Sequence, residues 1–131
     1  MTLDSRAKKW RMDVIRYVLY ANAAWDMGSA AAIAGNCRVI ARWHTEIWLD
    51  ESNNTNTAAR TLMAWLLVTF GLARWAAAMD PPVYLVCGMV SYVIEGLCVL
   101  ISTSNRLMKP LEGLFIALSS FALAFWMMKA N

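Results

Sequence analysis

The chain has 131 residues, 60% of them hydrophobic and only 16% charged, with a formal net charge of +3 and a mean hydropathy of +0.44. Such a balance excludes an ordinary soluble domain and fits one short membrane domain, 1–131, with no separate globular module. The basic residues gather at Arg6, Lys8, Lys9 and Arg11, where anionic lipid headgroups suffice as partners, and no lysine/arginine stripe interleaved with aromatics argues for nucleic acid.

Residues 1–13 read as a charged juxtamembrane segment running into the first helix. No cleavable signal is expected, because Asp13, Arg16 and Asp26 interrupt the candidate apolar core. Asp4 and Asp13 spoil the acid-poor pattern of a mitochondrial presequence. The first span is predicted from Val14 to about Gly35. It carries Arg16, near enough to its start to snorkel, and Asn22 and Asp26, which lie four apart and so share a face near mid-membrane. Ala24, Gly28 and Ala32 repeat every four residues on a neighbouring stripe, the small-residue spacing that lets helix backbones approach closely. That helix suits burial against protein better than exposure to lipid.

The segment 36–60 is too polar to span. Val39, Ile40, Trp43 and Ile47 fall on one helical face, with Arg38, Arg42 and Glu46 mostly off it. With Trp43 and Trp48 as interface anchors, an amphipathic helix in the headgroup plane is expected, followed by a polar loop over 49–57. Thr57 is a candidate cap for the next helix, and Asn53-Asn54-Thr55 matches the glycosylation sequon.

Two apolar runs follow, 61–79 and 83–102, each long enough to cross a hydrocarbon core of ~30 Å. Asp80-Pro81-Pro82 separates them, and prolines cannot continue a helix, so a tight hairpin is predicted. A short loop with Arg106 and Lys109 leads to the last span, 111–128, opened by Pro110 with Glu112 in its first turn. Gly113, Ala117, Ser120 and Ala124 give this span a small-residue face. The expected class is therefore an all-α polytopic membrane protein with four transmembrane helices and one interfacial helix. Both termini lie on one side, the inner one by a slight lysine/arginine excess.

Charges inside such spans are expensive and mark functional candidates. Asp26 and Glu95 each lie about twelve residues into their spans from the same side, ~18 Å deep at 1.5 Å per residue. Two carboxylates at one level can share a proton, offering a proton path or cation site. Alternatively each is neutral or bound to an arginine or polar group of a partner helix. Arg74 falls ~10 Å toward the termini side of that level, leaving open a contact with Glu95 that holds the hairpin, or snorkelling to the interface. Were the carboxylates only hydrogen-bonded, amides should replace both with little loss, unless Arg74 depends on Glu95 as an ion pair.

The lone histidine, His44, lacks a companion carboxylate or cysteine and reads as a surface residue rather than a ligand. Cys37, Cys87 and Cys98 share no CxxC spacing, and two of them lie in an apolar run as small hydrophobes. With no phosphate loop, no Ser/His/Asp set, no HExxH and no CxxCH, neither catalysis, a metal nor a cofactor is expected.

Ala59-Arg60-Thr61-Leu62-Met63-Ala64-Trp65 through Arg74, Ala78-Met79-Asp80 and Val83-Tyr84 resemble the ergosterol-biosynthesis scaffold family across the second and third spans. Leu97 and Ile101 stand where that family carries a histidine–glutamate pattern. The resemblance implies a small four-helix endoplasmic reticulum protein that tethers sterol enzymes and has no chemistry of its own. From the residues themselves, a non-enzymatic accessory subunit is expected, with other membrane subunits and lipids as partners. The expected setting is an organelle energy-transducing complex, the mitochondrial inner membrane first. The contrasting expectation is a small proton-coupled transporter using Asp26 and Glu95.

Overall fold

The computed structural model describes residues 3–35, 37 and 57–130. It is all-α, with four helices: α1 (Leu3–Ala34), α2 (Thr57–Met79), α3 (Pro81–Ser104) and α4 (Pro110–Ala130). Three of them, over Arg60–Met79, Val83–Ser104 and Pro110–Lys129, are long and apolar enough to cross a membrane. They mark an integral membrane protein. Asn22, Asp26 and the charges of its first half keep α1 out of that set.

Element ends follow local chemistry. Asp80 separates α2 from α3, and Pro81 and Pro82 occupy the first turn of α3, where a missing N–H costs nothing. The carbonyl of Asp80 accepts the first bonds of α3, from the N–H groups of Val83 at 3.1 Å and Tyr84 at 2.9 Å. At the other end of α3, Leu107 N–H reaches back to the Ser102 carbonyl at 2.9 Å and Arg106 adopts a left-handed φ of 57°. That closure is the one glycine ordinarily serves, taken here by an arginine. α4 carries Glu112 in its first turn and Lys129 in its last, each complementing the helix dipole. α2 starts at Thr57, so residues 57–60 belong to it and not to an interfacial segment. The remainder of that expected amphipathic helix, with Trp43, His44 and Trp48, lies outside the described residues.

The helices run up-down-up-down. α1 lies against α2, α2 against α3 and α3 against α4, while α1 and α4 touch only slightly. At the end holding both termini, four helices share one core. Ile15 and Leu19 of α1, Leu85 of α3 and Met127 of α4 are fully buried there against Ala77 and Ala78 of α2 and Ala124 of α4. Large side chains meet alanines, so the backbones come close. Arg16 joins this end by donating from Nε to the Ala78 carbonyl, 3.1 Å, near the end of α2 where carbonyls lack helical partners.

At the far end the bundle is two pairs. Ala30 and Ile33 of α1 pack on Ala64 and Leu67 of α2. On the other side, a Cβ on Gly113 of α4 would collide with the Thr103 hydroxyl of α3. Ala117, one turn further on, is buried in the chain's core. Outward faces carry large apolar side chains, among them Leu62, Val86, Ile101, Leu111 and Leu118. In water that surface would be a liability; in hydrocarbon it is solvated.

The small-residue stripe of α1 departs from the expectation of a packing face. Ala32 is buried, but Ala24 and Gly28 are exposed, and a Cβ on Gly28 would meet nothing within 4 Å among the described residues. The reason is angular. α1 is rotated so that Ala23, Asp26, Ala30 and Ile33 face α2, and at 100° per residue Ala24 and Gly28 then lie on the opposite side from Asp26.

Candidate functional site: an intramembrane ionic node

Between the closed end and the paired end lies a cluster of polar side chains contributed by all four helices. Its centre is Arg74, on α2. Close approach of α1 and α2 makes the placement possible: a Cβ on Gly71 would stand 2.7 Å from Met27 Cγ, 3.3 Å from the Ala23 carbonyl oxygen and 3.4 Å from Asp26 Cβ. Gly71 is one helical turn before Arg74, so the face that lets α1 in is the face that carries the guanidinium.

Arg74 is 2% exposed and does not snorkel outward. Its NH1 donates to Asp26 Oδ2 of α1 at 2.7 Å, and its NH2 donates to Glu95 Oε2 of α3, also at 2.7 Å. Nε donates to Ser91 Oγ at 3.2 Å, and Ser91 passes its own proton to the Gly88 carbonyl at 2.7 Å. Ser120 of α4 donates to the same Glu95 oxygen at 2.9 Å. The planar fork of the guanidinium suits this work, since it addresses two carboxylates and a hydroxyl at once in fixed directions.

Aromatic faces complete the surroundings of the cation. The Tyr92 ring centroid lies 3.9 Å from the Arg74 guanidinium carbon and that of Phe70 5.5 Å away, both within cation–π range. Tyr92 is itself anchored, its hydroxyl accepting from Asn22 Nδ2 at 2.6 Å. Thus Asn22 and Asp26, one turn apart on α1, both face the node.

Of the residues singled out in the sequence, Asn22, Asp26, Arg74 and Glu95 are brought together. Arg74 stands between the two carboxylates instead of leaving them to share a proton directly. Gly113 lies outside the cluster against Thr103 of α3, Ala117 is buried one turn further along α4, and Ala24 and Gly28 face away. Trp43 and Trp48 lie outside the described residues. Ser91, Tyr92 and Phe70 were not singled out, nor was the polar role of Ser120. Their signal is spacing: Ser91 and Tyr92 precede Glu95 by four and three residues, and Phe70 precedes Arg74 by four, each on the charged residue's own face.

The two carboxylates differ in access. Asp26's side chain is 4% exposed, whereas that of Glu95 is 21% exposed. Glu95 opens onto a cavity of about 550 Å³ between the helix pairs, on the paired side of the node. Among the described residues, no group of three or more histidine, cysteine or acidic residues gathers as metal ligands would. Cys37, Cys87 and Cys98 are free thiols. No family model, curated protein or solved structure matches this chain.

Proposed function

We propose that this chain is a non-enzymatic accessory or scaffold subunit of a larger membrane assembly, and that α1 is its fourth transmembrane helix. One observation carries the reading: Arg74 engages both intramembrane carboxylates and, with Ser120 and Tyr92, ties all four helices at a single level. Charged groups held that way fix helix positions and leave the outer faces to define the molecule. The polar residues Asn22 and Asp26 of α1 point inward, as they must if this helix is surrounded by hydrocarbon or other helices. Ala24 and Gly28 on its outer face leave room for the close approach of a further helix.

The setting we propose first is an organelle energy-transducing complex in the mitochondrial inner membrane, where the chain serves as a supernumerary subunit. The resemblance over Ala59–Trp65 and Ala78–Tyr84 supports a second setting, a tether for sterol enzymes in the endoplasmic reticulum. Purification of the tagged chain from its native membranes in mild detergent tests both. Co-migration with a respiratory complex supports the first and co-migration with sterol enzymes the second; migration as an isolated monomer or small oligomer contradicts the subunit reading. The contrasting role, a proton-coupled transporter, predicts carboxylate-dependent proton or cation flux in liposomes. The subunit reading predicts none.

A further inference from the structure

We propose that the cavity between the two helix pairs binds a lipophilic organic monocation, with Glu95 as its counter-ion. The inference rests on charge balance and shape. With both carboxylates ionised, the node sets two negative charges against one guanidinium and carries one net negative charge in apolar surroundings. An excess charge there is costly until a further positive charge neutralises it. The excess belongs at Glu95. Both carboxylates line the cavity, but the Asp26 side chain is 4% exposed and that of Glu95 21%, and the bonds that Glu95 accepts from Arg74 and Ser120 both fall on Oε2.

The cavity around that carboxylate matches the proposed ligand in size and lining. Its volume of about 550 Å³ lies within the range of small-molecule sites, roughly 300–1,000 Å³. Trp25 of α1, Phe70 of α2, Tyr92 of α3 and Phe115 of α4 line it with aromatic rings, and Leu67 and Met108 supply aliphatic wall. Aromatic faces attract cations and repel anions, so walls and carboxylate select the same sign. A neutral amphiphile would leave the charge unbalanced, and a dication would reverse it. One positive charge on an apolar body closes the balance. The inference is independent of any parent assembly, because every group it uses belongs to the described residues of this chain.

Equilibrium binding of tetraphenylphosphonium to the purified full chain in non-ionic micelles tests it, with the near-isosteric anion tetraphenylborate as the charge-inverted control. We expect saturable binding of one cation per chain and no displacement by the anion. Ser119 lines the cavity but bonds only to carbonyls of its own helix, Phe115 at 2.6 Å and Ile116 at 3.1 Å. Ser119→Phe therefore fills the cavity without touching the node and should weaken binding by roughly tenfold or more. Glu95→Asp, which keeps the charge, should retain cation selectivity. The unaltered protein provides a second readout. Cys98 lines the cavity and Cys87 does not, and both thiols are exposed, so the bound cation should slow maleimide labelling of Cys98 and leave Cys87 unchanged. Absence of saturable binding, equal binding of the anion, unaltered binding by Ser119→Phe, or equal labelling rates with and without the cation would each overturn the proposal.

Discussion

The two ends of this bundle are built from the same kinds of residue and reach different results. At the closed end, Ile15, Leu19, Leu85 and Met127 from three helices interlock over the alanines of α2 and α4. At the paired end, Ala30 and Ile33 meet Ala64 and Leu67, Gly113 meets Thr103, and the pairs stand apart around a cavity of about 550 Å³. Hydrocarbon gives apolar side chains no reason to leave it, so apolar content alone cannot close a bundle in a membrane. What differs is complementarity of shape, and between the two ends the ionic node decides how far the closed packing extends. Directional bonds hold four helices together where packing no longer does.

The largest expected effect comes from removing the cation at the centre of the node. Arg74→Met leaves Asp26 and Glu95 buried without their partner, a loss of about 3–5 kcal/mol of the kind seen when one member of a buried pair is deleted. Steric-trap or denaturant unfolding in bicelles should register it, and a loss below ~1 kcal/mol would break the comparison by showing that the closed end holds the bundle unaided. The geometry also revises the amide expectation. Asp26→Asn with Glu95→Gln strands a charged Arg74, so that double variant should be strongly destabilised and not nearly normal.

Next in size is the paired end. Gly113→Ala drives a methyl group into Thr103, whose Cβ and Cγ2 also lie 3.2 and 3.3 Å from the new carbon. Overpacking of this sort costs about 1–3 kcal/mol. Because α3 and α4 pair there without α1 and α2, crosslinking between cysteines placed at that end of α3 and α4 should fall while α1–α2 crosslinking stays unchanged. A parallel fall in both would mean the pairs are not independent.

Smaller still is Tyr92→Phe, which keeps the ring over Arg74 and removes only the bond from Asn22. Interhelical hydrogen bonds in membranes average ~0.6 kcal/mol, and the unfolding midpoint should shift by that order. The smallest effect is expected of Gly28→Leu. A Cβ at Gly28 would meet nothing within 4 Å among the described residues, so unfolding should change by less than ~0.5 kcal/mol, while co-purification with the proposed parent assembly drops. Unchanged co-purification would contradict a partner on that face.

How much of this was legible follows from what each signal measures. The runs 61–79, 83–102 and 111–128 stood out because spanning length is a property of consecutive residues, and Pro81-Pro82 announced the turn for the same local reason. Asp26 and Glu95 fell at one height because helical rise is regular. Arg74 did not, since counting rise places Cα atoms and ignores the reach of a long side chain. Tyr92 gives no signal of its own, because an aromatic residue in a span ordinarily faces lipid. The orientation of α1 was the hardest to read. Asp26 and the small stripe Ala24/Gly28 prescribe opposite rotations, and only the presence of Arg74 across the interface decides between them.

A thermodynamic cycle tests the central claim most directly. Unfolding free energies in bicelles are measured for the parent, for Arg74→Met, for the double amide Asp26→Asn/Glu95→Gln, and for the combination of all three changes. If the node is one unit, the combined variant removes its three charges together and is far more stable than the sum of the two losses implies, with a coupling of at least ~2 kcal/mol. Losses that simply add would mean that Arg74, Asp26 and Glu95 act separately, and the account of a four-helix clasp would be wrong.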